Sequence, residues 1–246
     1  MNNILLITLI GLGAGVIGTG SGAGIALFVK NPSKALLGFM LGFAGGIMLA
    51  IVLADLLPES VEIGGFMIAF AGLLIGSLFI LFLDLKIPHF HLFETTEELA
   101  RFIRTGTILG LGIAMHNLPE GIAIGASYVS SPALGFTLAL TIALHNIPEG
   151  IAMACPLCAG GMRLRWIIFY TAMAGFPMGL GAFIGASLGS ISPLVLSLSL
   201  GFAGGAMLYI IFGELIPGAQ NSGSGHAGTF GAVFGTIAGI LLLSVI

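Results

Sequence analysis

Long apolar runs broken by short polar punctuation make up this chain, and the runs share one recurring length. Eight of them, over 4–28, 35–57, 63–83, 107–129, 134–154, 166–188, 194–216 and 228–246, each hold close to the 20 residues a helix needs to cross a bilayer core. Strand-like alternation is not sustained anywhere, and Gly, Pro and Ser cluster at the breaks. The pattern predicts an all-α membrane protein of eight transmembrane helices in a single domain over 1–246, whose longest interruption is a loop at about 84–104.

The pattern also repeats. Leu41 to Leu49 reads LGFAGGIML and Leu200 to Leu208 reads LGFAGGAML, so the two stretches differ only at Ile47 and Ala206. The offset is 159 residues (207 − 48), and it carries Asp55 onto Glu214, Pro58 onto Pro217, Gly72 onto Gly231 and Gly76 onto Gly235. Spans two and seven are five apart, so they cross the membrane in opposite directions. An inverted repeat is expected, spans 1–3 against spans 6–8, with spans four and five as a central pair: a 3+2+3 arrangement of the kind that places a transporter's site near the midplane.

Composition agrees with this reading. Hydrophobic residues make up 57 % and charged residues 7 % of the 246, with a mean hydropathy of +1.16, against about 25 % charged in soluble domains. Almost nothing is left for a soluble domain. The 40 glycines suit close helix packing in lipid, and such faces leave room for a homodimer. All seven basic residues fall in alternate loops: Lys30 and Lys34, then Lys86, Arg101 and Arg104, then Arg163 and Arg165. The intervening loops carry none. By the positive-inside rule those three loops are cytoplasmic and both termini lie outside, in a multi-pass protein of the cell membrane. Lacking a basic leader and a cleavage site, the first span is expected to be retained. Scattered in this way, the basic residues give no nucleic-acid surface.

Chemistry concentrates in spans four and five. His116-Asn117-Leu118-Pro119-Glu120-Gly121 is followed by His145-Asn146-Ile147-Pro148-Glu149-Gly150, with the Ser130-Ser131-Pro132 break midway. As helices, both motifs stand about 20 Å from the shared turn and therefore at one depth. Each pairs an imidazole with a carboxylate at i and i+4, on one face. Two such pairs supply four N/O ligands, a set suited to Zn²⁺, with Fe²⁺, Mn²⁺, Co²⁺ and Cd²⁺ as relatives. The bland alternative is a structural polar network, but a carboxylate at membrane depth costs on the order of 3 kcal/mol, and two matched copies are hard to explain as packing. Asn117 and Asn146 are either interhelical hydrogen-bond partners or ligands of an adjacent metal position. Pro119 and Pro148 release the carbonyls of Met115 and Leu144, which predicts a kink.

Other candidates are weaker. Asp55 could draw a cation in at the outer mouth and Glu214 could take it from the centre, or either acid could simply snorkel. Met48 is a thioether ligand or a packing residue. His89 and His91, in a loop that also holds Glu94, Glu97 and Glu98, could collect metal or belong to a solvated segment. His226 is a candidate exit ligand. Cys155-Pro156-Leu157-Cys158 reads as two inert cysteines, a metal relay or a redox pair.

Taken together, the span count and the duplicated His-Asn-x-Pro-Glu-Gly motif resemble the ZIP (Zrt/Irt-like protein) family of metal transporters, in particular its compact bacterial zinc-uptake branch. The resemblance implies a binuclear centre. One position would use His116, Glu120, His145 and Glu149, with Met48 as a further donor, and the other Asn117, Asn146 and Glu214 with Glu120 and Glu149 bridging. It implies movement of divalent metal into the cytoplasm through an elevator-like displacement of spans 1, 4, 5 and 6 against 2, 3, 7 and 8. The metal is then cargo, one ion of the pair being a candidate structural ion, and no prosthetic group is expected. The short third loop with two histidines departs from the family's longer histidine-rich loops, and so does Ala227 after His226, where some relatives place an acid.

Two other classes compete. An intramembrane metallohydrolase could use paired carboxylates and a metal-bound water, but no His-Glu-x-x-His appears and no substrate-sized loop exists, so an enzyme is not expected. A proton or sodium carrier could relay charge through the acids alone.

Overall fold

A computed structural model describes residues 4–26, 33–86, 97–188, 192–221 and 226–245, and among these it is helical with no strand. In hydrocarbon each backbone polar group must be satisfied within its own segment, which leaves the helix as the solution for apolar runs of this length. The helices are α1 (Ile4–Ala26), α2 (Lys34–Ile51), α3 (Leu57–Gly64), α4 (Phe66–Lys86), α5 (Glu97–Ser130), α6 (Pro132–Ala159), α7 (Leu164–Ala174), α8 (Phe176–Leu188), α9 (Pro193–Ile210), α10 (Ile216–Asn221) and α11 (Ala227–Val245). Among the described residues, seven helical segments are long and apolar enough to cross a membrane. The eighth, α5, is long enough at 34 residues, about 50 Å, but its polar motif and charged first turns dilute its hydropathy.

Two breaks carry information that the apolar count missed. Between α2 and α3 the chain makes a π-helical turn over Val52–Leu56, and between α9 and α10 another over Ile211–Leu215. Leu57 N–H reaches back five residues to the Val52 carbonyl and Ile216 N–H to that of Ile211. In each case the next residue is a proline, Pro58 or Pro217, which cannot donate the bond that would restore the α-helical register. The two turns are related by the 159-residue offset found in the sequence, and Asp55 and Glu214 sit at matching positions within them.

The span expected at 166–188 is likewise divided, at Gly175, into α7 and α8. Pro177 withholds the N–H that Met173 would bond, and the Gly175 N–H caps the carbonyls of Ala172 and Met173 instead. Helical structure also invades the loop expected at 84–104. Here α4 runs to Lys86 and α5 starts at Glu97, so Asp84, Arg101 and Arg104 lie on helices. His89 and His91 lie outside the described residues.

Packing divides the helices into two groups. α1, α5, α6 and α8 pack on one another, while α2 packs on α11 and α4 on α9; contact between the groups runs chiefly through α5 on α9 and α2 on α6. Small residues permit the close approaches. A Cβ on Gly76 would strike the Phe202 carbonyl and one on Gly235 that of Phe43, again a pair of contacts related by 159. Ser60 and Ser197 exchange hydrogen bonds, each hydroxyl donating 2.7 Å to the other's carbonyl, and so fasten α3 to α9. Large apolar side chains such as Leu5, Met67, Leu78, Leu134, Phe183 and Phe212 point outward, as lipid-facing positions should.

Candidate metal centre

His116, Asn117 and Glu120 of α5 and His145, Asn146 and Glu149 of α6 are all buried, none more than 2 % exposed. The antiparallel pair α5 and α6, turned at Ser131 and Pro132, brings both motifs to one level. Pairing does not follow the i and i+4 claws within one helix. His116 Nε2 lies 3.0 Å from both carboxylate oxygens of Glu149, and His145 Nε2 lies 3.3 Å from Glu120 Oε1. The two ion pairs therefore cross between the helices. Among the described residues no three His, Cys, Asp or Glu side chains converge on one metal-sized point. The four side chains are closed on each other instead.

The closure is incomplete, and that matters chemically. Both oxygens of Glu120, both ring nitrogens of His145, and the amide oxygens of Asn117 and Asn146 are buried without an aligned hydrogen-bond partner. Orphaned acceptors at this depth are costly unless something occupies them. The chemistry of the set, two imidazoles, two carboxylates and two amide oxygens, fits a borderline divalent cation.

The asparagine nitrogens look the other way. Asn117 Nδ2 donates 3.0 Å to the Ala174 carbonyl, which the break at Gly175 leaves without its usual helical partner. Asn146 Nδ2 makes a long 4.0 Å contact to the Met178 sulfur. Both amides thus face the α7–α8 break with nitrogen and keep oxygen free. The glycine that closes each motif lets a backbone come near: a Cβ on Gly121 would strike the Met178 carbonyl, and one on Gly150 that of Thr19.

The remaining candidates are placed unevenly. Asp55 is half-buried, and its charge is close enough to interact with His145 and Glu120. Met48 is fully buried in the main apolar cluster. Glu214 is not with Asn117 and Asn146: it accepts a 2.8 Å hydrogen bond from Thr105 Oγ1 and stands 3.7 Å from Arg104 Nη1. Thr105 lies eleven residues before His116 on α5, about 16 Å along the helix. Arg104 also pairs with Asp84 at 2.6 Å, and Tyr209 donates 2.9 Å to the same carboxylate. This Asp84–Arg104–Tyr209–Glu214 cluster was missed in sequence; its only signal was that four polar residues fall at matching ends of apolar spans. His226 is exposed just ahead of α11.

These observations define a multi-pass helical membrane protein with a buried His/Glu/Asn site between two central helices. Residues 91–246 match the sequence profile described as ZIP Zinc transporter, and the chain belongs to that family. It is 36 % identical over 250 residues to the zinc transporter ZupT of Chlorobium limicola, covering 94 % of this chain and 93 % of that protein. The proteins of the same name from Escherichia fergusonii, 37 % identical over 87 % of each chain, and Salmonella paratyphi A, 35 % identical over 90 % of each, are similar to it.

Proposed function

We propose that this chain carries Zn²⁺, and with lower preference Cd²⁺, Fe²⁺, Mn²⁺ or Co²⁺, across the cell membrane into the cytoplasm through the site shared by α5 and α6. The observation that carries the reading is the crossed pairing of His116 with Glu149 and His145 with Glu120 at 2 % exposure or less. Two carboxylates and two neutral imidazoles around one divalent cation sum to zero net charge, which keeps the loaded centre tolerable at membrane depth. Ligand atoms must shed protons to bind, so arriving metal displaces those held between each imidazole and its acid. In this proposal the crossed pairs are the metal-free state, and the unpartnered oxygens of Glu120, Asn117 and Asn146 supply donors for a second, adjacent ion.

Further parts of the reading rest on symmetry. Matching π-helical turns at 52–56 and 211–215, and glycine contacts that exchange under the 159-residue offset, support an inverted repeat of spans 1–3 and 6–8 around the central pair α5 and α6, with α5 as the eighth span. The division of the helices into two packed groups supports an elevator-like movement of α1, α5, α6, α7 and α8 against the rest. Asp55, in electrostatic reach of the centre, would receive the cation from outside, and Glu214 would join the second position on leaving its cytoplasmic cluster. The termini lie outside in this orientation.

The test is influx into proteoliposomes loaded with a zinc-responsive dye, against external Zn²⁺, Cd²⁺ and Mn²⁺. Saturable influx abolished by Glu120→Ala/Glu149→Ala is expected. Silent vesicles whose protein still binds metal at the centre would overturn transport and leave a binding role.

A further inference from the structure

We propose that Met40, Cys155 and Cys158 form a three-sulfur site for a thiophilic d¹⁰ cation, separate from the His/Glu/Asn centre. Cys155 and Cys158 are free thiols on the last turns of α6. At i and i+3 they share a helix face. Across from them, on α2, Met40 brings its sulfur within 3.9 Å of Cys155 Sγ. Ligands 2.3 Å from a tetrahedral metal are separated by about 3.8 Å along each edge, so the Met40–Cys155 distance already matches one edge of a sulfur-coordinated site. Both Cys158 and Met40 are partly buried against the apolar cluster that contains Cys155.

Location and charge suit such a site. Cys155 follows Glu149 by six residues, about 9 Å along α6, on the way to Arg163 and Arg165. Met40 is six residues from Lys34. The sulfurs therefore stand between the central motif and the basic end of the bundle. Binding follows M²⁺ + 2 RSH → M(SR)₂ + 2 H⁺, the thioether adding a neutral third donor. The complex has no net charge, which a largely apolar surrounding requires. Soft sulfur donors select Cd²⁺ or Zn²⁺ over hard cations. A third sulfur has no role in a thiol–disulfide pair, and that favours metal over redox chemistry.

The chain has two cysteines and no others, so any thiolate-to-metal charge-transfer absorption reports on this site alone. Cd²⁺ titrated into the purified, reduced full-length protein is expected to raise that band to saturation at one ion per chain. The band persists in Glu120→Ala/Glu149→Ala, which separates this site from the transport centre. It vanishes in Cys155→Ser/Cys158→Ser, and Met40→Leu leaves the band but shifts its titration to higher Cd²⁺. Absence of the band in the unaltered reduced protein, saturation at one ion per two chains, or an unchanged titration in Met40→Leu would each overturn the assignment.

Discussion

His116 on α5 and Glu149 on α6 stand 3.0 Å apart, Nε2 to carboxylate, although each has a potential partner one turn away on its own helix. With His145 and Glu120 at 3.3 Å, the pairing is reciprocal. The two motifs therefore hold each other closed, and one side chain cannot be altered without leaving another buried and unmatched.

Non-additive stability follows in the metal-free protein. His116→Ala strands the Glu149 carboxylate in an apolar interior, and breaking a buried pair in this way costs about 3–5 kcal/mol. His116→Ala/Glu149→Ala removes both partners and should recover part of that loss, whereas His116→Ala/Glu120→Ala, which strands a residue from each pair, should not. Thermal melts of the three proteins in detergent with chelator check the order. Metal affinity, in contrast, should fall in all three.

Acidification should weaken cargo binding. An imidazole must be proton-free at the coordinating nitrogen, and its ordinary value is about 6.5. Each proton displaced per metal ion makes the apparent affinity fall up to about tenfold per unit as pH drops below the imidazoles' titration range. Affinity should level off above it. Influx measured against Zn²⁺ concentration from pH 5.5 to 8 should show KM rising toward acid, and His145→Gln should flatten that slope.

How far the sequence carried can be seen at particular residues. Apolar run length placed the helices, and the 159-residue repeat anticipated that Asp55 and Glu214 would occupy equivalent places. What it could not show was partner choice: i and i+4 spacing puts His116 with Glu120, but side-chain reach across the α5–α6 contact decides for Glu149. The π-helical turns were concealed because Pro58 and Pro217 read equally well as helix ends. The break at Gly175 had a signal in Gly175-Phe176-Pro177, overridden by unbroken hydropathy. The resting contacts of Glu214 had no local signal either, since the hydrogen bond from Thr105 and the charge of Arg104 are long-range facts.

Glycine substitutions should separate close approach from general flexibility. A Cβ at Gly121 or Gly150 meets a backbone carbonyl that cannot swing aside, so Gly121→Ala and Gly150→Ala should each destabilise by about 1–3 kcal/mol and reduce influx by moving α8 or α1 away from the motif helices. Gly24 has nothing within 4 Å of its would-be Cβ. Gly24→Ala should be neutral, or stabilising by up to about 1 kcal/mol through helix propensity. Melting temperature and influx on the three variants would show the contrast, and equal losses in all three would argue against contact as the cause.

Glu214 offers the sharpest test of how the path ends. Thr105 Oγ1 donates 2.8 Å to one of its oxygens and Arg104 stands 3.7 Å from the other, while Arg104 is shared with Asp84, itself held by Tyr209. A carboxylate engaged in this way cannot also serve Asn117, about 18 Å further along α5, or Asn146 beside it on α6. Its recruitment to a second metal position requires these contacts to break. Thr105→Val removes the hydrogen bond without changing side-chain shape, and Arg104→Gln removes the competing charge. Each change should raise metal occupancy of the second position, and together they should act more strongly than either alone because both release one carboxylate. Metal stoichiometry of the purified variants, with Glu214→Gln as the control that abolishes the gain, checks this. If occupancy is the same in all four proteins, Glu214 serves only to tie α5 to the turn after α9, and the second position, if filled, draws on Asn117, Asn146 and the bridging acids alone.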